Sequence, residues 1–87
     1  MRVQLTDHAI TQAHRRSGVG QTTITREVKD ALKHGRRAVR KPAWLNQVRT
    51  KAGGGRHRYV WPETEDRVYV IVETSDGWVV LTCLTPM

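Results

Sequence analysis

The chain has 87 residues, 38% of them hydrophobic, which leaves room for one small domain and excludes a multidomain architecture. No run approaches the ~20 apolar residues of a membrane span, and a single cysteine, Cys83, excludes an internal disulfide. Fifteen Lys and Arg against eight Asp and Glu leave a formal charge of +7.

Taken in chain order, the short stretch RVQL leads to Thr6, a residue suited to cap a helix, with Asp7 in the first turn where a negative charge suits the dipole. A helix is predicted over about 6–17, ended by Gly18 and Gly20 in SGVGQ. A second follows over about 24–34, where Ile24, Val28, Ala31 and Leu32 recur at helical spacing, Thr23 or Thr25 caps the start and Gly35 stops it. Pro42, in the basic link GRRAVRKPA, prevents the helix from continuing. From residue 43 the period changes to two: strands are predicted over about 43–51 and 56–61, joined by AGGG. The clearest strands, at about 67–74 and 77–85, are rich in Val, Ile, Tyr, Trp and Thr and are linked by Ser75-Asp76-Gly77, a hairpin signal. The expected architecture is a single α+β domain over 1–87, with two N-terminal helices packed on a four-stranded antiparallel sheet.

Charge is unevenly distributed. Residues 29–58 hold Lys29, Lys33, Arg36, Arg37, Arg40, Lys41, Arg49, Lys51, Arg56 and Arg58 against Asp30 alone, while Glu63, Glu65, Asp66, Glu73 and Asp76 lie in the last third. That polarity favours a phosphate backbone as partner, with Arg36, Arg37, Arg40, Lys41, Arg49, Lys51, Arg56 and Arg58 as candidate nucleic-acid contacts. An acidic protein surface is the alternative; no basic amphipathic helix with a broad apolar face points to a membrane. The three glycines at 53–55 lead into a strand and not a helix, so they form neither a Walker loop nor a dinucleotide fingerprint. Histidines at 8, 14, 34 and 57 match no zinc pattern, and neither metal nor cofactor is expected. Cys83, in an apolar strand with no activating neighbour, reads as a packed thiol. The opening MRVQLTDHA has no apolar core of a secretory signal, so a cytoplasmic protein is expected, either as written or as a piece of something larger.

On a helical wheel, Ala9 and Ala13 centre the apolar stripe of the first helix. His8, Gln12 and Arg16 line one shoulder, Arg16 leaning inward, whereas His14 lies on the other shoulder and Arg15 on the solvated side. An arginine aimed at a sheet must find an acceptor or an anion, and a phosphate could fill that role. Imidazole moves protons near neutral pH, and guanidinium stabilises charge building on phosphorus oxygens. RNA brings its own nucleophile in the 2′-hydroxyl. The plainer alternative makes His8 an ordinary first-turn residue and Arg16 a surface charge.

The run LTDHA, then Arg16 in RRSGV, a capped helix ending ALKHG, and a last strand VVLTCL together resemble the RelE/ParE-like small toxin domains of the barnase/EndoU/colicin/RelE ribonuclease-like group. The likeness spans roughly 5–84. It departs in the extra Ser17, in Gln12 where an arginine is common, and in lacking the arginine- and tyrosine-rich end of ribosome-dependent relatives. The resemblance implies a metal-independent endoribonuclease toxin acting by 2′-OH transesterification. It maps His8 as general base or acid, Arg16 as transition-state stabiliser and Thr82 as a group orienting a phosphate oxygen, although Thr82 also fits as a satisfied core threonine. Arg56 and Arg58 would bind the backbone, with His57 a second proton donor if its hairpin folds over the site. The implied partners are RNA and an acidic antitoxin or immunity protein. The alternatives are a non-catalytic basic module that binds nucleic acid or inhibits a nucleic-acid-processing enzyme, and an accessory protein for an acidic partner.

Overall fold

A computed structural model describes residues 2–34 and 57–86. In chain order they form β1 (Val3–Leu5), α1 (Asp7–Ser17), α2 (Gln21–His34), β2 (His57–Val60), β3 (Val68–Thr74) and β4 (Gly77–Leu84). The expected strand over 43–51, the AGGG link and Arg36, Arg37, Arg40, Lys41, Arg49, Lys51 and Arg56 lie outside the described residues.

Thr6 caps α1 as expected: its backbone is extended and its hydroxyl accepts a hydrogen bond from the Ala9 N–H at 3.0 Å. Gly18, in the left-handed region at φ 65°, closes the helix by donating its N–H to the His14 carbonyl at 2.9 Å, and His14, Arg15 and Arg16 place positive groups at the negative end of the dipole. The second helix begins about a turn earlier than its apolar period indicates, at Gln21. Its first internal bond runs from the Ile24 N–H to the Gly20 carbonyl at 3.1 Å, so Thr23 and Thr25 sit inside the helix and do not cap it.

The sheet is mixed, where four antiparallel strands were expected. Its order is β1-β4-β3-β2; β2, β3 and β4 pair antiparallel, but β1 lies parallel to β4, with Val3, Gln4 and Leu5 opposite Trp78, Val79 and Val80. The strand was missed because three residues are too few to show a period. What holds it is the β4 edge: Trp78 N–H donates to the Arg2 carbonyl at 2.8 Å, and Thr6 N–H to the Val80 carbonyl at 3.1 Å.

One core cluster joins the helices to the sheet, with Ala9 and Ala13 of α1 and Ile24, Val28, Ala31 and Leu32 of α2 against Val60, Tyr69, Ile71, Val80 and Cys83. The small alanines let α1 approach β4 closely. A second cluster of Trp61, Val68, Val70 and Leu84 includes the alternate residues of β3 and so lies on the opposite face. Both faces of β3 are thus buried from Val68 to Ile71, as its unbroken apolar run suggests. Between Val70 and Ile71 the ladder shifts, because Val70 stands opposite Thr82 and Ile71 opposite Val80, leaving Leu81 as an extra residue in a β-bulge.

Candidate functional site

The short β1 ends at Leu5, so among the described residues the second half of β4 has no strand on that side, and α1 supplies partners instead. Thr6 donates its hydroxyl to the Leu81 carbonyl at 3.1 Å, and Arg16 donates from Nη1 to the Cys83 carbonyl at 2.9 Å. Both ends of α1 are therefore tied to the bulged segment of β4, which satisfies carbonyls that an edge would leave to water. The inward lean of Arg16 is real, and its acceptor is a backbone oxygen.

That choice of acceptor leaves charge uncompensated. A carbonyl occupies one of the five guanidinium donors and neutralises none of the positive charge. Arg16 is exposed, as is His8 in the first turn of the same helix, and among the described residues neither forms an ion pair. Eight residues of helix separate them by roughly 12 Å along the axis. The Cys83 thiol beneath Arg16 is buried and pushed up to about 11; burial is the main cause, and the charges of Arg67 and Arg16 partly oppose it. It is a packed thiol, as its strand context indicates.

The other two candidate catalytic residues lie elsewhere. Residues directly opposite on adjacent strands share a face. Thr82 is half-buried opposite Val70, so it belongs to the face away from the helices. His57 is opposite Val72, two residues from Val70 on the same face, and it lies on β2, two strands or roughly 10 Å from β4. Its neighbour Arg58 is exposed opposite Ile71, on the helix side. The fold thus groups His8 with Arg16 on α1, and Thr82 with His57 across the sheet.

Sequence reasoning overlooked a polar cluster on the other helix. Glu27 of α2 accepts from Arg67 Nε at 2.9 Å, from Arg67 Nη2 and from the Tyr69 hydroxyl, while Arg67 Nη1 also reaches Asp66 at 3.0 Å. Arg67 and Glu27 side chains are only 12% and 13% exposed, and Tyr69 is fully buried. Burial first, and then the Glu27 hydrogen bond, raise the Tyr69 hydroxyl well above its ordinary range; the bond to Glu27 does the same for Arg67. Each donor has its acceptor and each charge its opposite, so the cluster is a clamp between α2 and the sheet. Its signal was present: Glu27 sits on the apolar side of α2, three residues after Ile24 and four before Ala31, where an acid needs a buried partner.

Among the described residues no group of His, Cys, Asp and Glu could hold a metal, and no helix is long and apolar enough to cross a membrane. The chain matches no protein-family model, no curated protein and no solved structure.

Proposed function

We propose that the chain is an RNA-directed domain of the endoribonuclease-toxin type, cleaving by attack of a 2′-hydroxyl on its own phosphodiester. The observation that carries this reading is the contrast between two arginines. Arg67 is neutralised by Glu27 and Asp66, whereas Arg16 is fixed by a carbonyl and keeps its charge for an anion. The formal +7 of the whole chain draws a polyanion towards it.

In this reading Arg16 holds a non-bridging oxygen of the scissile phosphate. The 2′-oxygen forms a bond to phosphorus, the bond to the 5′-oxygen breaks, and a 2′,3′-cyclic phosphate results. His8 takes the 2′-proton or supplies one to the leaving oxygen, and water serves the other end. The 2′-hydroxyl is the nucleophile, so the scheme calls for no metal or cofactor. It rests on His8 and Arg16 alone, because Thr82 and His57 face the other side of the sheet. An acidic antitoxin or immunity protein would cover the same charge.

The separation of those pairs favours a second reading, a basic module that binds nucleic acid without cutting it. End-labelled RNA incubated with the protein in EDTA decides between them. Cleavage giving cyclic-phosphate ends, reduced about 10²- to 10⁴-fold by His8→Ala, is expected. Salt-dependent binding without cleavage would establish the module, and undiminished cleavage by His8→Ala would remove His8 from the chemistry.

A further inference from the structure

The geometry points to the exposed face of α2 as the track along which the RNA backbone runs; this deepens the RNA-directed reading above and depends on it. Arg26, Lys29 and Lys33 recur at three- and four-residue spacing, so they stand in one row on the helix surface, successive members roughly 4.5 and 6 Å apart along the axis. All three are exposed, and none forms an ion pair among the described residues. Nearby Asp30, which reaches His34 at 3.2 Å, is one acid against three cations, so the row keeps an excess of positive charge. A like-charged row on a helix is destabilising by a few tenths of a kcal/mol per pair, and an anion bound along it removes that repulsion.

The row also has a trough and a border. A groove of about 550 Å³ is lined by Gln21, Thr22, Thr25, Arg26 and Lys29, which sets amide and hydroxyl donors beside the two cations. On the other flank of Arg26 a smaller groove of about 340 Å³ is lined by Glu27, Asp30, Pro62, Glu63 and Thr64. One side of the row therefore offers phosphate hydroxyl and amide donors beside its cations, and the other is lined by carboxyl-bearing residues. The positive excess of the whole chain and of this row, beside a groove of hydroxyl and amide donors, suits a polyanion with many phosphates, a nucleic-acid backbone. Within the RNA-directed reading above, that backbone is RNA.

Binding of a fluorescent 2′-O-methyl oligouridylate, which cannot be cleaved, tests the track apart from catalysis. Replacing Arg26, Lys29 and Lys33 together by Gln removes three phosphate contacts. The slope of log affinity against log salt should fall in magnitude by about 2, and affinity at 0.1 M salt by about 100-fold. Acetylation of wild-type Lys29 and Lys33 should be suppressed by the oligonucleotide, a readout independent of any variant's folding. Failure of the wild type to bind would sink the RNA-directed reading itself. Binding that leaves the variant's slope unchanged and Lys29 and Lys33 open to acetylation would overturn the track alone. A polyglutamate peptide that binds the same face as tightly would assign it to an acidic protein and overturn the proposal.

Discussion

Removing the Glu27 carboxylate should be among the most damaging single changes outside the apolar core. In Glu27→Ala the Arg67 guanidinium keeps the exposed Asp66 and its bond to the Tyr69 oxygen, and the Tyr69 hydroxyl, inside a residue of zero exposure, loses its acceptor. Breaking a buried pair by removing one partner costs about 3 to 5 kcal/mol. Asp66 and the residual 12% exposure of Arg67 hold the expected loss near the lower end, about 3 kcal/mol. For a domain of this size that corresponds to a fall in Tm of roughly 12 to 24 °C. Circular dichroism melts and urea titrations of wild type, Glu27→Ala, Tyr69→Phe and the double variant would measure it. Tyr69→Phe should cost about 1 to 2 kcal/mol alone and clearly less once Glu27 is gone, because only the bond accepted from Arg67 Nε then remains to be lost. A Glu27→Ala variant within about 1 kcal/mol of wild type, or strictly additive effects of the two changes, would refute the clamp.

Alkaline pH should unfold the protein by stages. A group whose folded pKa is raised contributes stability that is complete below its unfolded pKa and is lost as pH rises to the folded value. For Cys83, pushed up to about 11 from 9.0, the loss falls between pH 9 and 11 and amounts to roughly 2 to 3 kcal/mol; Tyr69, shifted in the same direction, adds to it above pH 10. Urea midpoints across that range should show the onset moved upward in Cys83→Ala, and a thiol reagent at pH 8 should label wild-type Cys83 only on unfolding. Gly77→Ala should cost at least about 2 kcal/mol by thermal melting, since Gly77 has φ 132° and a Cβ there would lie 2.3 Å from the Arg2 carbonyl oxygen. Thr6→Val removes both the α1 cap and the hydroxyl bond to Leu81, so a loss of about 1 to 2 kcal/mol is expected from urea unfolding; Thr6→Ser should recover most of it.

The elements that declared themselves in the sequence were those long enough to repeat. Ile24, Val28, Ala31 and Leu32 marked the buried face of α2, and the valines of β3 and β4, with Asp76-Gly77 between them, marked the hairpin. Local hydrogen bonding then decided the boundaries, as where the Gly20 carbonyl starts α2 ahead of its first apolar residue. Pairing partners were hidden. Nothing in VQL signals that it lies parallel to a strand more than seventy residues away, since the information resides in the unpaired edge of β4. The same holds for the site. A helical wheel places Arg16 towards the sheet, but only the fold reveals that a carbonyl receives it, and only the bulge at Leu81 and the register with Val70 assign Thr82 to the far face. Glu27, Arg67 and Tyr69 escaped notice because their partnership spans forty residues, and each alone looks like an ordinary residue of its element.

The parallel pairing of β1 with β4 also governs when this protein can exist in folded form. Thr6 and Leu81 are 75 positions apart, and closing so long a loop is paid for entirely in chain entropy before any contact rewards it. A ribosome extends a chain by about 5 to 20 residues per second, so β1 and α1 wait several seconds, unsupported on their β4 side, until Trp78 to Cys83 have left the exit tunnel. Until then the anchor that orients Arg16 does not exist. The contacts that complete the α1 face are thus the last of its anchors to form in the order of synthesis.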